Sequence, residues 1–348
     1  MVLTGIRQME MREVADPRID NPYDVKIRLG AVGVCGSDVH YYTTGRIGSQ
    51  VVQYPFTVGH EAAGTVVEVG AKATRVKPGD RIAIEPAMPC RWYEPDKCDQ
   101  CRAGRPNTCR NLRFLGCPGQ SEGCLSEFIV MPEECCFPIA DTTTMARAAL
   151  VEPLTIGVYA VQQSVPMQGA RIAILGSGPI GLSALLAARR QGVARIYVTD
   201  RLDDRLAVAR EAGAHWTGNP DTQDVVAEIE ACEPLLLDAV FECCGQQAAV
   251  DQAVDLVKPG GKIMMTGIPE VDRISFVIDR ARRKEICFQN VRRQKHCVEE
   301  ALDLVESGRV NPDFMVTHHF PFEQTQKAFD LVDSYADGVV KAMIEFDD

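Results

Sequence analysis

Long hydrophobic runs are missing from this chain. Its longest apolar stretches, such as Ile172–Leu175, fall far short of the about 20 residues that cross a bilayer as a helix. That excludes a spanning helix. The opening Met1-Val2-Leu3-Thr4-Gly5 has no basic region followed by an apolar one, so no export signal is expected. Positive charge is also scarce: 37 Lys and Arg against 48 Asp and Glu leave a net charge of −11. Such a surface argues against nucleic acid or an acidic membrane as a partner. No internal repeat or low-complexity tract interrupts a composition of 46% apolar and 24% charged residues, which is that of a globular protein.

Cysteine is the exception to this scarcity, with 14 residues. Without an export signal, so many thiols point to metal ligands or buried free cysteines rather than disulfides. A cytoplasmic location is expected. At 348 residues the natural prior is two domains.

The texture changes along the chain. The first 150 residues carry short β-branched runs at 24–29, 64–69, 81–85 and 127–131, divided by glycine and proline, with a turn at Pro78-Gly79-Asp80. That half reads as mostly β. From about Gln168 strands alternate with helices: strands at 170–175, 195–199, 237–242 and 262–266, helices at 179–191, 202–212 and 248–257, and a turn at Lys258-Pro259-Gly260-Gly261. Such alternation implies a parallel, doubly wound α/β sheet. Helices are expected near 297–307 and 322–333 and a strand at 339–346. This tail could extend the sheet domain or return to the first one.

Leu175-Gly176-Ser177-Gly178-Pro179-Ile180-Gly181 follows an apolar strand and opens an apolar helix. A lone Gly-x-Gly-x-x-Gly is a weak signal, but this one has the full βαβ context. Asp200 stands 24 residues beyond Gly176 at a strand end, as in dinucleotide-binding turns. Gly176 would make the tight turn, Gly178 would admit the pyrophosphate, and Gly181 would let helix and strand pack closely. The helix N-terminus would face the phosphates. Asp200 suits the ribose hydroxyls and would repel a 2′-phosphate, favouring NAD over NADP. Arg201 or Arg205 could instead hold such a phosphate.

Two constellations suit metal. Cys35 and, 25 residues later, His60 and Glu61 offer a thiolate, an imidazole and a carboxylate. This mixed set fits a catalytic Zn²⁺ with an open position. Glu152, in the apolar Leu150-Val151-Glu152-Pro153-Leu154, needs a partner, be it a metal or a cation. Cys90, Cys98, Cys101 and Cys109 lie within 20 residues and could close a tetrahedral structural Zn²⁺ site. Buried free thiols are the alternative.

These residues resemble the zinc-containing medium-chain dehydrogenases, and within them the sorbitol (L-iditol, xylitol) dehydrogenases. The carriers are the run from Val32 through Cys35-Gly36-Ser37-Asp38-Val39-His40-Tyr41, then Gly45-Arg46-Ile47-Gly48, Gly59-His60-Glu61-Ala62-Ala63-Gly64, the stretch 78–86, Val151-Glu152-Pro153-Leu154 and Val198-Thr199-Asp200. The resemblance covers nearly the whole chain. It implies a GroES-like, mostly β catalytic domain at 1–152, a Rossmann NAD-binding domain at 153–291, and a segment at 292–348 returning to the first. It implies Cys35, His60 and Glu61 on the catalytic zinc, with Glu152 holding the water there, or the two glutamates exchanged. Ser37 and Tyr41 match substrate-side positions, and His40 a proton relay. The cofactor is expected against Gly176, Gly178, Pro179, Ile180, Gly181, Asp200, Arg205, Thr266, Gly267 and Ile268.

In two places the chain departs from its relatives. Seven residues, rather than two, separate Cys90 from Cys98. Because loop closure costs only about 0.6 kcal/mol per doubling of length, a stretch containing Trp92, Tyr93 and Pro95 is expected to loop out and leave the cysteines together. Where relatives have a Phe-Arg-Tyr-like substrate segment, this chain reads Val291-Arg292-Arg293. Arg292 keeps the arginine, and the added charge could suit an acid sugar. The expected reaction is zinc-assisted transfer of a hydride from a secondary alcohol of a small polyol to NAD. Rivals are zinc dehydrogenases of a sugar acid, threonine or butanediol, and a catalytically silent NAD-binding relative. A homo-oligomer, a tetramer by resemblance, is expected.

Overall fold

The computed structural model describes residues 1–90 and 96–347; the inserted stretch with Trp92, Tyr93 and Pro95 lies outside them. The chain divides into two compact units, Met1–Glu152 with Val298–Asp348, and Pro153–Cys297. The second unit therefore runs on to Cys297 rather than closing at 291.

In the first unit, Val25, Ile27 and Leu29 alternate with partly exposed residues along the strand Asp24–Gly33. This period of two sends one row of side chains inward. That strand is the hub of a seven-stranded sheet, pairing antiparallel with Glu61–Val69, Phe128–Pro132 and Lys341–Glu345. Arg81–Ile84 and Cys136–Pro138 extend one side, while Val316–Pro321 runs parallel to Lys341–Glu345 on the other. The C-terminal tail thus returns to the first unit and completes its sheet. Val25, Ile27, Val66, Ile82 and Met131, each at most 1% exposed, form its core with Phe329 from the tail helix Thr325–Ser334.

The second unit is a six-stranded, wholly parallel sheet. Its spatial order is Trp216–Gly218, Arg195–Thr199, Arg171–Leu175, Leu237–Glu242, Val257–Met265, Cys287–Asn290. Ile172, Ala173, Ile174 and Leu175 are all at most 1% exposed, as befits a strand covered on both faces. Strand order reverses between Arg171–Leu175 and Leu237–Glu242, the place where open α/β sheets leave a crevice at their carboxyl ends. The stretch Lys258–Gly261 departs from the expected plain turn. It is a bulge inside Val257–Met265, where Leu237 pairs with Val257 and Ala239 with Lys262. Among the described residues no helix is long and apolar enough to cross a membrane.

Candidate metal centres and dinucleotide site

Cys35 lies two residues beyond the hub strand, at the N-cap position of the helix Gly36–Thr44. His60 and Glu61 enter the neighbouring strand, where Glu61 pairs with Gly33. Two adjacent strands thus deliver all three side chains to one place, and their ligand atoms lie within 4.8 Å of one another. Zinc bonds of about 2.0–2.3 Å fit that spacing, and three protein ligands leave the fourth position open. Gly33 is required here: a Cβ on it would sit 2.3 Å from Glu61 Oε2.

Asp38, fully buried, accepts from the Gly59 amide at 3.2 Å and contacts His60 Nδ1 at 3.2 Å. That fixes the ring and leaves Nε2 for a metal. Burial would lower the His60 pKa, but the charges of Asp38 and Cys35 outweigh it and hold the imidazole well above its ordinary value. Phe114 lies against the ring, 5.3 Å between centroids. Lys341, 1% exposed, donates to Glu61 Oε1 at 2.8 Å, Glu61 Oε2 at 2.6 Å and Val34 O at 2.9 Å. Burial would lower its pKa too; Glu61, Cys35 and, more weakly, Glu152 raise it. So Glu61 lies among the metal-ligand atoms while both its oxygens are held by a lysine. Glu152, in the first turn of the helix Val151–Gln163, stands outside the three-residue group.

Ser37 Oγ donates to Cys35 Sγ at 3.3 Å. Tyr41, one helical turn on, is buried and donates to Gln50 Oε1 at 3.3 Å. His40 is half-buried on the same helix, and Arg292 is exposed in the second unit. Sequence reasoning missed Asp38 and Lys341 as parts of this centre. Asp38 had a signal, a carboxylate one turn beyond a candidate metal cysteine; Lys341 had none.

The four sulfurs of Cys90, Cys98, Cys101 and Cys109 also lie within 4.8 Å of one another. Cys90 Sγ is 3.6 Å from Cys101 Sγ, and Cys98 Sγ is 3.8 Å from Cys109 Sγ. Zinc–sulfur bonds of about 2.3 Å in a tetrahedron give edges of about 3.8 Å, so the quartet already has the size of a closed zinc site. Backbone amides of Arg110 and Cys101 pull the Cys98 thiol down to about 6. Arg110 clamps Asp99 with both Nε and Nη2, bracing the loop.

In the second unit Gly176 has φ +102°, and a Cβ on Gly181 would meet Gly176 O at 1.9 Å. Both positions demand glycine. A Cβ on Gly178 would meet only Arg205 Nη1 at 3.5 Å, so the turn has room for a phosphate beside a guanidinium. The helix Pro179–Arg190 begins there with proline at its start and Ile180 following. Asp200 Oδ2 accepts from Ser177 N at 2.7 Å and Oδ1 from Leu202 N at 3.0 Å, tying the strand end to the glycine turn. Arg201 is engaged with Asp221 at 2.7 Å rather than turned to Asp200. Thr266 and Gly267 donate their amides to Glu242 O, and Ile268 beside them is 47% exposed. Ser177 Oγ and Glu242 Oε2 are buried without a partner among the described residues. Both lie at strand carboxyl ends flanking the crevice, where a dinucleotide could satisfy them.

Residues 21–141 match the alcohol dehydrogenase GroES-like domain, and residues 179–307 the zinc-binding dehydrogenase domain. The sorbitol dehydrogenase of Bacillus subtilis (strain 168) is 34% identical over 99% of this chain and 96% of its own. The L-idonate 5-dehydrogenase of Vitis vinifera is 33% identical over 94% of this chain and 89% of its own. Among solved structures, an alcohol dehydrogenase of Escherichia coli CFT073 complexed with NADH superposes with a TM-score of 0.88 at 25% identity, covering 99% of this chain and 98% of that one.

Proposed function

Because the chain belongs to the GroES-like, zinc-binding dehydrogenases that include the sorbitol dehydrogenases, we propose that it oxidises a secondary alcohol of a small polyol to a ketone with NAD. The observation that carries this reading is the convergence of Cys35, His60 and Glu61. Cys35, His60 and Glu61 would hold a zinc ion supplying Lewis acidity to a substrate hydroxyl, and the glycine turn would hold NAD, which would supply the hydride acceptor. Asp38 keeps His60 Nε2 toward the metal, and Ser37 Oγ, held at Cys35 Sγ, takes the hydroxyl proton toward His40. Glu152, outside the three-residue group, would hydrogen-bond a water or the substrate hydroxyl at the open position. Asp200 reads the ribose, and the pairing of Arg201 with Asp221 supports NAD over NADP. The sulfur quartet holds a second, structural zinc.

The test is reduction of NAD, and separately of NADP, with sorbitol, xylitol, L-idonate, threonine and 2,3-butanediol, with and without a chelator. Chelator-sensitive oxidation of a C5 or C6 polyol with NAD is expected; chelator-insensitive turnover, or none with any polyol, contradicts the reading. L-Idonate is the second reading, favoured by the cationic run Arg292, Arg293 and Lys295. A cytoplasmic location is supported by the 14 cysteines, none of them in a disulfide. A homo-oligomer is supported by the edge strand Cys287–Asn290, which pairs with Val257–Met265 on one side and whose Phe288 stacks on the exposed Phe276 at 4.5 Å.

A further inference from the structure

Three polar side chains from three separate segments meet beside the candidate metal residues, and the reaction proposed above gives none of them a role. Tyr41 comes from the helix that Cys35 caps, Gln50 from the short strand Gln50–Val51, and Cys117 from the loop after Phe114. Tyr41 Oη donates to Gln50 Oε1 at 3.3 Å and lies 3.9 Å from Cys117 Sγ, while Gln50 Nε2 donates to that sulfur at 2.7 Å.

Their place relative to the metal ligands follows from two anchors. Ser37, which touches Cys35 Sγ, and Tyr41 are four residues apart on one helix face, a rise of about 6 Å. The loop carrying Cys117 is pinned to the other ligand: Phe114 packs on the His60 ring, Cys124 N donates to Gly59 O at 3.0 Å, and Gly116 abuts Gly59. Buried Tyr41 and Cys117 and half-buried Gln50 thus form a polar wall one helical turn from the reacting position.

We propose that Gln50, supported by Tyr41 and Cys117, is a specificity-determining residue that reads a distal hydroxyl of a neutral polyol chain. The inference rests on the polyol reading above. An amide offers two donors and an acceptor with two lone pairs, and a tyrosine hydroxyl offers both. Two of the Gln50 valences are used in the cluster, so one N–H and one lone pair remain. That pair matches a hydroxyl, itself both donor and acceptor. None of the three groups is a cation, so the wall favours a neutral chain over a distal carboxylate or phosphate. A rise of about 6 Å places the hydroxyl it reads two or three carbons beyond the oxidised one. A C5 or C6 polyol reaches that far and a C4 2,3-diol does not.

The test is Gln50→Leu, which keeps volume and removes the amide, assayed as the metal-loaded protein with xylitol and with 2,3-butanediol. Selectivity, the ratio of the two kcat/KM values, should shift against xylitol by about 10- to 100-fold, carried mainly by the KM for xylitol. Gln50→Asn with restored selectivity near wild type would equally contradict a requirement for this reach, so it should recover little. Circular dichroism and zinc content confirm that Gln50→Leu is folded and loaded. If the wild type oxidises xylitol but Gln50→Leu leaves the ratio within about twofold, the inference is overturned and the polyol reading stands. If the wild type oxidises no polyol, that reading falls and this inference with it.

Discussion

Asp38 decides how His60 can meet a metal. Its buried carboxylate touches Nδ1 and also accepts from the Gly59 amide, so it ties the ring to the backbone of its own strand entry. Losing such a partner costs about 10- to 100-fold in metal affinity. Asp38→Asn should weaken zinc retention by that factor in chelator competition, with secondary structure unchanged. Lys341 makes a different prediction. Its three N–H groups go to Glu61 and Val34, all buried, so Lys341→Met strands a carboxylate. Breaking a buried pair from one side costs about 3–5 kcal/mol. Urea unfolding of the metal-free variant should show a loss of that order, smaller once zinc gives Glu61 another partner. Equal losses with and without zinc would mean that Glu61 stays clear of the metal. The sequence offered Cys35, His60 and Glu61 as candidate ligands because cysteine, histidine and glutamate announce their chemistry, and the structure brings them together. It left Lys341 silent, because its partner stands 280 residues away and no local pattern records such a pair.

Elements carry the two cofactor sites. Gly181→Ala would drive a Cβ into Gly176 O, so the helix Pro179–Arg190 must shift from the turn it anchors. NAD affinity measured by fluorescence titration should fall at least about 10-fold, while zinc content holds. Unchanged affinity would remove the glycine turn from the cofactor site. For the cysteine loop, a structural zinc is worth on the order of 10 kcal/mol in small peptides, far above the cost of the longer loop. Metal analysis should give two zincs per chain, falling to one in Cys101→Ser. One zinc per chain, unchanged by Cys101→Ser, would leave the quartet as free thiols.

The elements also mark where sequence reading stops. Strands 195–199 and 237–242 have the expected bounds, because continuous apolar runs between turn residues define buried strands locally. The bulge at Lys258–Gly261 escaped because proline and two glycines look the same in a turn and in an irregular strand. The destination of the tail was open for a stronger reason. Lys341–Glu345 pairs with Ala31–Gly33, and period-two alternation says that a strand exists without naming its neighbour.

At the scale of the molecule, the candidate metal and dinucleotide residues fall into different compact units: Cys35, His60 and Glu61 in the first, Gly176, Gly178 and Asp200 in the second. Chemistry and cofactor binding should therefore be separable by mutation. Cys35→Ala removes a candidate zinc ligand without touching any residue of the glycine turn. The most direct measurement takes this one protein through three assays: zinc content, NAD binding, and NAD reduction with the best polyol. The account predicts loss of the catalytic zinc and of turnover, with NAD affinity within about threefold of wild type, well under the tenfold that 1.4 kcal/mol would bring. Wild-type-like turnover by Cys35→Ala protein lacking that zinc would contradict it.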